Sequence, residues 1–291
     1  MRILLFGCNG QLARCVKDEA QATDEVIALG SATDANLMQP GAANIAIAAH
    51  HPDIIINAAA YTAVDRAEED KDAAMRLNAG AVAEIAGAAR KAGAPFLHVS
   101  TDYVFDGHSN APYKENDPTN PLNVYGASKL AGEKAALEEN ENAIIIRTSW
   151  VFSEYGANFV KTMLRLAGER DTLSIVDDQI GGPTSARDIA RALLTIAHKK
   201  HRGAPGEGIY HFQGAPSVSW AGFASKIFEI AGANVAVTPI PTAQFPTPAA
   251  RPLRTLLDCA RIERDFGVAQ PDWRIALRQV IEALQKKDEQ P

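Results

Sequence analysis

The chain has 291 residues, too many for one small core and few for two full domains, with 46% hydrophobic and 22% charged residues, as in an ordinary globular protein. A formal net charge of −6 argues against general affinity for nucleic acid or anionic membrane. Its apolar runs, such as Ile54–Ile56 and Ile144–Ile146, are too short to span a bilayer. No basic-then-apolar leader is expected, because Arg2–Phe6 already has the pattern of a strand. Three cysteines, Cys8, Cys15 and Cys259, form an odd set without metal-type spacing, which places the chain in the cytoplasm.

Ile3–Phe6, Val26–Leu29, Asp53–Ala58, Pro95–Ser100 and Ala143–Thr148 are short apolar runs ended by polar or small residues, the pattern of buried parallel strands. Between them the sequence predicts a helix from the first glycine turn towards Ala20, a weaker one at Ala42–Ala49, an alanine-rich one at Ala73–Ala92 and one carrying Tyr125. Strand alternating with helix up to Trp150 indicates a doubly wound parallel α/β sheet, a Rossmann fold, over residues 1–150. Residues 151–291 are expected to form a smaller substrate-binding lobe, with segments that return to the first domain. Helices are predicted at Asn158–Gly168, Ala186–Ala197, Trp220–Gly232 and near Trp273–Gln285, and strands near Leu173–Val176 and Gly208–Phe212. Five prolines make Pro239–Pro252 an extended loop, and Lys286–Pro291 is expected to be disordered.

Three features carry chemistry. Gly7-Cys8-Asn9-Gly10 sits at the first strand–helix turn, where backbone N–H groups at a helix N-terminus meet a dinucleotide pyrophosphate. The second strand ends Leu29-Gly30-Ser31-Ala32, with no carboxylate until Asp34. A 2′-phosphate there meets less repulsion, which favours NADPH and leaves NADH open. Ser100-Thr101-Asp102 closes the fourth strand at the edge where such sheets bind ligands. Tyr125 and Lys129 are four apart, so on a helix they share a face. A phenol beside an ammonium has its pKa lowered and suits general acid catalysis. A hydroxyl, a phenol and an ammonium in this order after a glycine turn point to carbonyl reduction.

With these residues the chain resembles the extended short-chain dehydrogenase/reductases, and within them the dTDP-4-dehydrorhamnose reductase family. The match is carried by Gly7–Leu12, Asn57–Asp65, Ser100–Gly107, Tyr125–Lys129, Arg147–Val151, Asn158–Val160, Asp177–Thr184 and Arg251-Pro252, and covers nearly the whole chain. The resemblance implies reduction of the C4 ketone of dTDP-4-dehydro-L-rhamnose to dTDP-L-rhamnose with NAD(P)H, a step towards cell-surface polysaccharide. Carried over, it gives Thr101, Tyr125 and Lys129 as catalytic residues. It puts Gly7, Gly10, Gln11 and Leu12 at the cofactor phosphates, and Gly30, Asn36 and Leu37 towards the adenosine. Ala60, Tyr61, Thr62 and Val99 fall on the nicotinamide side, with Lys129 on its ribose. Thr101, Asp102, Tyr125, Trp150 and Arg251 face the sugar nucleotide, and Arg251 or Arg254 offers a guanidinium fork for its diphosphate.

Departures narrow this further. Sugar-nucleotide dehydratases carry a glutamate after the strand-end Thr-Asp, whereas Tyr103 follows Asp102 here, which argues against dehydration. Epimerases of the group lack the Ser100–Gly107 match. The regulatory subunit of methionine adenosyltransferase also resembles this family and acts by binding a partner enzyme, so a non-catalytic reading stays open. Some relatives bind magnesium at a dimer interface through glutamates, one of them at the position of Cys15, which is no ligand for a hard cation. No metal is expected, and a homodimer, if formed, is not metal-linked. His198 and His201 fit a solvated helix end, and Asp177-Asp178 fits turn bonding.

Overall fold

The computed structural model describes residues 1–30 and 35–288. The first half alternates strand and helix: β1 (Arg2–Phe6), α1 (Gln11–Glu19), β2 (Glu25–Leu29), α2 (Ala42–His50), β3 (Ile54–Asn57), α3 (Lys71–Met75), α4 (Ala81–Ala92), β4 (Phe96–Thr101), α5 (Val124–Glu139) and β5 (Ile144–Thr148). The second half adds β6 (Val151–Phe152), α6 (Phe159–Ala167), β7 (Thr172–Val176), β8 (Ile180–Gly181), β9 (Thr184–Ser185), α7 (Ala186–His201), β10 (Gly208–His211), β11 (Val218–Ser219), α8 (Trp220–Ala231), β12 (Ala236–Ile240), α9 (Ala260–Phe266) and α10 (Trp273–Asp288). Among the described residues no helix is long and apolar enough to cross a membrane.

Six strands form one parallel sheet in the order β10-β5-β4-β3-β1-β2. Their side chains alternate between two cores, as the two-residue period of a strand requires. Ile3, Leu5, Ile54, Ile56, Ile144 and Ile146 face α1, α7 and α9. Leu4, Phe6, Ile55 and Ile145 face α2, α4 and α5. Each such side chain, fully buried, contributes roughly 1.5–3 kcal/mol. The chain after Trp150 therefore divides. β10, α7 and α9 complete the sheet and one of its layers. α6, β7, α8, β12 and α10 build a lobe around Phe152, Phe223, Phe228, Trp273 and Leu277.

Three elements differ from the expectation. The proline-rich segment begins as a strand, because β12 pairs in parallel with β7 through Pro239 and Ile240. A two-stranded sheet has only edge strands, and an edge tolerates a proline. The alanine-rich helix starts at Lys71 and is interrupted by a single π turn at Arg76–Gly80. The last helix runs through Asp288, so residues 286–288 are helical; 289–291 lie outside the described residues.

Helix α5 is the element that places the site. Asn123 caps it, accepting from Gly126 N at 2.7 Å while its Nδ2 donates to Ala250 O at 2.7 Å. Glu133 then ties α5 to the sheet: it accepts from Ser100 Oγ at 2.5 Å and from Arg147 Nε and Nη2 at 2.9 and 2.7 Å, all buried. Two glycines let the helix come close to the turn after β4 and to the π turn. A Cβ at Gly126 would stand 2.2 Å from the Tyr103 carbonyl oxygen, and one at Gly132 would stand 1.9 Å from the Asn78 carbonyl oxygen. Gly132→Ala is expected to destabilise the fold by about 2 kcal/mol or more, since overpacking outweighs alanine's helix propensity of about 1 kcal/mol. Urea unfolding measures it, and an unchanged midpoint would contradict the close packing.

Candidate active site

The glycine turn after β1 is held against the sheet. Gly7 N donates to Leu29 O at 2.8 Å, and Gly7 has φ +108°, in the region that favours glycine. A Cβ there would also lie 2.8 Å from Ala59 N, so the close approach itself demands glycine. A cavity of about 310 Å³ opens over this turn, walled by Gly7–Gly10, Gly30, Asn36–Met38, Ala58–Ala60 and Leu77. Its position at the N-terminus of α1, with glycine backbone on one side and apolar residues on the other, suits a dinucleotide. Of the residues expected at the cofactor, Gly7, Gly10, Gly30, Asn36, Leu37 and Ala60 line it. Ser31, Ala32 and Asp34, on which the NADPH preference turned, lie outside the described residues.

Gln11 and Leu12 are placed differently. The Gln11 side chain accepts from Ser153 Oγ at 2.8 Å and Asn158 Nδ2 at 2.9 Å, fastening α1 to the lobe, and Leu12 is packed in the core. Only their backbone N–H groups, at the helix start, are positioned for a phosphate. Tyr61 donates its hydroxyl hydrogen to Asp70 Oδ2 at 3.1 Å. Its backbone is gripped by Asn78, whose Oδ1 accepts from Tyr61 N at 2.8 Å and whose Nδ2 donates to Tyr61 O at 3.1 Å and to Ser128 Oγ at 2.9 Å. Asn78 sits in the π turn, fully buried, and joins the loop after β3 to the helix of Tyr125. Thr62 is exposed beside this loop.

At the end of β4, Thr101 stands beside the Tyr125 phenol, its hydroxyl donating to Asp102 Oδ1 at 3.1 Å and accepting from Tyr103 N at 3.2 Å. Burial pushes that phenol up to about 12; the adjacent Thr101 hydroxyl opposes the rise and the neighbouring Asp102 carboxyl adds to it. Tyr103 packs its ring edge-on to Tyr125, centroids 5.7 Å apart, where a dehydratase would carry its second carboxyl. The phenol is thus raised by burial rather than lowered by Lys129 as expected. Lys129, 2% exposed, donates to Val99 O at 2.7 Å and faces His98 Nε2 at 3.2 Å. Burial brings Lys129 itself down to about 8, against a smaller opposing pull from Glu133.

Asp102 is buried, its two oxygens taken by Thr101 Oγ1 at 3.1 Å and by the Thr255 hydroxyl. Trp150 sits in the left-handed region at φ +47°, a placement that costs a bulky residue about 1–3 kcal/mol. It is stacked on Trp220, centroids 3.5 Å apart and planes 6° from parallel, and Trp220 Nε1 donates to Gln179 at 3.1 Å. Arg251, expected at the substrate diphosphate, is instead held by Asp65 in a two-pronged ion pair, 2.7 Å at each prong. Arg254 keeps a buried Nε without a hydrogen-bond partner among the described residues.

Some sequence expectations at the periphery resolve simply. His198 is paired with Asp24 at 3.0 Å rather than merely solvated. Asp178 accepts from Thr242 N, and Asp177 from the Ser219 hydroxyl, so the acidic pair holds the lobe's loops. Cys15 is buried in the core and its thiol is pushed up to about 12 by that burial. Asn78, His98, Trp220 and Thr255 were not foreseen. A histidine inside the apolar run Phe96-Leu97-His98-Val99 was the one local signal available.

Asp102 gives a pH test. Burial raises its carboxyl from the ordinary 3.8 to about 7, so between those values the folded protein holds a proton the unfolded chain has lost. Its stabilising contribution is therefore complete below about pH 4 and is lost as pH rises through about 7. Relative to Asp102→Asn, the wild type should lose roughly 3 kcal/mol over that window, read by urea unfolding at stepped pH. A constant difference would contradict the burial of an ionisable carboxyl.

Known proteins match this chain over almost its full length. Residues 1–286 fit the family described as the RmlD substrate binding domain. The dTDP-4-dehydrorhamnose reductase of Sinorhizobium fredii is 45% identical over 98% of both chains. That of Burkholderia thailandensis is 43% identical over 95% of this chain and 97% of the relative. Among solved structures, the dTDP-4-dehydrorhamnose reductase of Clostridium acetobutylicum superposes with a TM-score of 0.92 at 38% identity, covering 98% and 100% of the two chains. The reductase of Bacillus anthracis in complex with NADP gives 0.91 at 36% identity over 97% and 99%. The chain belongs to the dTDP-4-dehydrorhamnose reductase family.

Proposed function

We propose that the chain reduces the C4 ketone of dTDP-4-dehydro-L-rhamnose to dTDP-L-rhamnose with NADPH. The observation that carries the reading is the placing of Thr101 beside Tyr125 at the end of β4, near the loop that walls the glycine cavity. Gly7, Gly10 and the N-terminus of α1 would hold the cofactor pyrophosphate, with Gly30, Asn36 and Leu37 towards the adenosine. Ala60, Tyr61, Thr62 and Val99 would face the nicotinamide and Lys129 its ribose. Bound there, the cofactor supplies the hydride that the substrate carbonyl carbon accepts.

The chain's own residues handle the oxygen. Negative charge grows on the C4 oxygen as the carbonyl is reduced, and Tyr125 donates its proton to it. A phenol at about 12 stays protonated at every working pH, so the acid is in the right form. An alkoxide is roughly as basic as hydroxide and far more basic than a phenolate, so the transfer still runs downhill. Thr101 turns its hydroxyl to the same oxygen and stabilises the developing charge. Trp150, on its Trp220 platform, gives the sugar a flat apolar face. Asp102 is read as support for Thr101 at the sugar rather than as a second acid.

Arg251 is read as a clamp that fixes the loop over the site to Asp65, and Arg254 as the group that meets the diphosphate. A buried guanidinium nitrogen with no partner is costly unless a ligand supplies one. The dTDP-sugar is the expected partner, and unpaired Cys8, Cys15 and Cys259 support a cytoplasmic site of action. The non-catalytic alternative is not favoured, because the matched relatives at 39–45% identity are named as reductases. With dTDP-4-dehydro-L-rhamnose, purified protein is expected to oxidise NADPH. Tyr125→Phe should lower that rate by at least about 10²-fold with cofactor affinity nearly intact. No turnover with any dTDP-deoxyketosugar would overturn the reading. Arg254→Met is expected to raise KM for the dTDP-sugar by about tenfold or more and leave KM for NADPH unchanged; an unchanged sugar KM would remove Arg254 from the diphosphate.

A further inference from the structure

Behind Lys129 lies a buried chain of polar side chains whose hydrogens can be counted. Asn57 ends β3, and its Oδ1 accepts from Ala59 N at 3.0 Å. That contact fixes the amide, so its Nδ2, a donor only, is the atom that faces His98 Nδ1 at 3.1 Å. His98 Nδ1 must then accept, which puts the ring hydrogen on Nε2. Nε2 faces Lys129 Nζ at 3.2 Å, and Nζ donates a hydrogen to Val99 O at 2.7 Å. An Nε2–H pointing at an ammonium would set donor against donor. Pointing at a neutral amine, it meets the nitrogen lone pair, and no donor in the chain faces another donor.

The reverse arrangement fails at the other end. A charged Lys129 needs Nε2 as acceptor and therefore Nδ1–H, which would face the Asn57 amide hydrogens. Flipping that amide turns its NH₂ against Ala59 N–H. Asn57 and His98 are 1% and 0% exposed, so no solvent offers an alternative partner. The other charged groups around the chain are engaged. Glu133, on the same helix as Lys129, is held by Ser100 and Arg147, and Asp102 at the end of β4 by Thr101 and Thr255.

We propose that Asn57 and His98 are positioning residues that loosen the Lys129 proton, so that the stored amine is reached at lower pH than that of an ordinary lysine, and that assembly of the catalytic complex tightens the proton again. On charging, the Nζ lone pair is released from Nε2–H and takes one proton from solvent, giving the ammonium that pulls on the Tyr125 phenol. The charging step rests on the reductase reading; the stored amine does not.

The test is a titration of ligand-free protein carrying ¹³C at lysine Cε, with Lys129 assigned by its loss in Lys129→Met. Its midpoint is expected about one pH unit or more below the other lysines. In His98→Gln, whose amide can turn an oxygen to the ammonium, the midpoint should rise by about one unit. If that variant does not fold, Asn57→Asp serves: its carboxylate accepts from both Ala59 N–H and Nδ1–H, which makes Nε2 an acceptor. A merely structural role for His98 would not move the midpoint. Lys129 titrating with the other lysines, or unmoved in a folded variant, overturns the stored amine. Uptake of about one proton per NADPH bound at pH 9 is expected for the charging step; binding without uptake overturns it. A protein that binds no NADPH overturns the reductase reading while the lysine titration still decides the stored amine.

Discussion

Helix α5 lies against the Tyr103 turn after β4 and the π turn of Asn78 more closely than any side chain larger than hydrogen would allow at Gly126 and Gly132, and the site depends on that approach. Dispersion and burial alone would hold a helix at 8–10 Å from its neighbour, with side chains between. Here backbone meets backbone, and the polar groups uncovered by the contact are all given partners. Asn123 closes the start of the helix, Asn78 bridges Tyr61 and Ser128, and Glu133 binds Ser100 and Arg147. The same geometry carries Tyr125 to Thr101 and Lys129 to Val99, both at the end of one strand.

Burial then sets the chemistry. A phenol, an amine, an imidazole and a carboxyl share one water-excluded region, and each is pushed towards its neutral form: Tyr125 and Asp102 upward, Lys129 and His98 downward. A site whose groups are all biased towards neutrality lessens the cost of burying ions. It also holds its proton on Tyr125 until charge develops on the substrate oxygen. The charged groups that do lie inside, Glu133 and Arg147, are matched to each other with two parallel hydrogen bonds and serve as a fastening rather than as reagents.

Much of this was legible in the residues. The five apolar runs and the glycine turn dictate the sheet and the cofactor crevice, because strand period and helix-terminus geometry are local properties. Tyr125, Lys129 and Thr101 could be named because their order along the chain follows the order of elements in a doubly wound sheet. What escaped was set by distant partners. Whether Arg251 binds substrate or an ion pair depends on Asp65, 186 positions away. The platform under Trp150 comes from Trp220, and the second partner of Asp102 from Thr255, residues with no local mark of function. The spacing of Tyr125 and Lys129 gave their shared face but not their surroundings, so the fall of Lys129 towards neutrality required knowing that the folded chain buries its amine.

The claim on which the account turns is that Thr101 and Tyr125 flank one and the same oxygen of the sugar. A crystal structure of the wild-type protein with NADP and dTDP-L-rhamnose measures this directly. The C4 hydroxyl oxygen is expected within hydrogen-bond distance, about 2.5–3.0 Å, of both Tyr125 Oη and Thr101 Oγ1, with the sugar against Trp150. A C4 oxygen bonded to neither, or a sugar ring seated away from the end of β4, would contradict it.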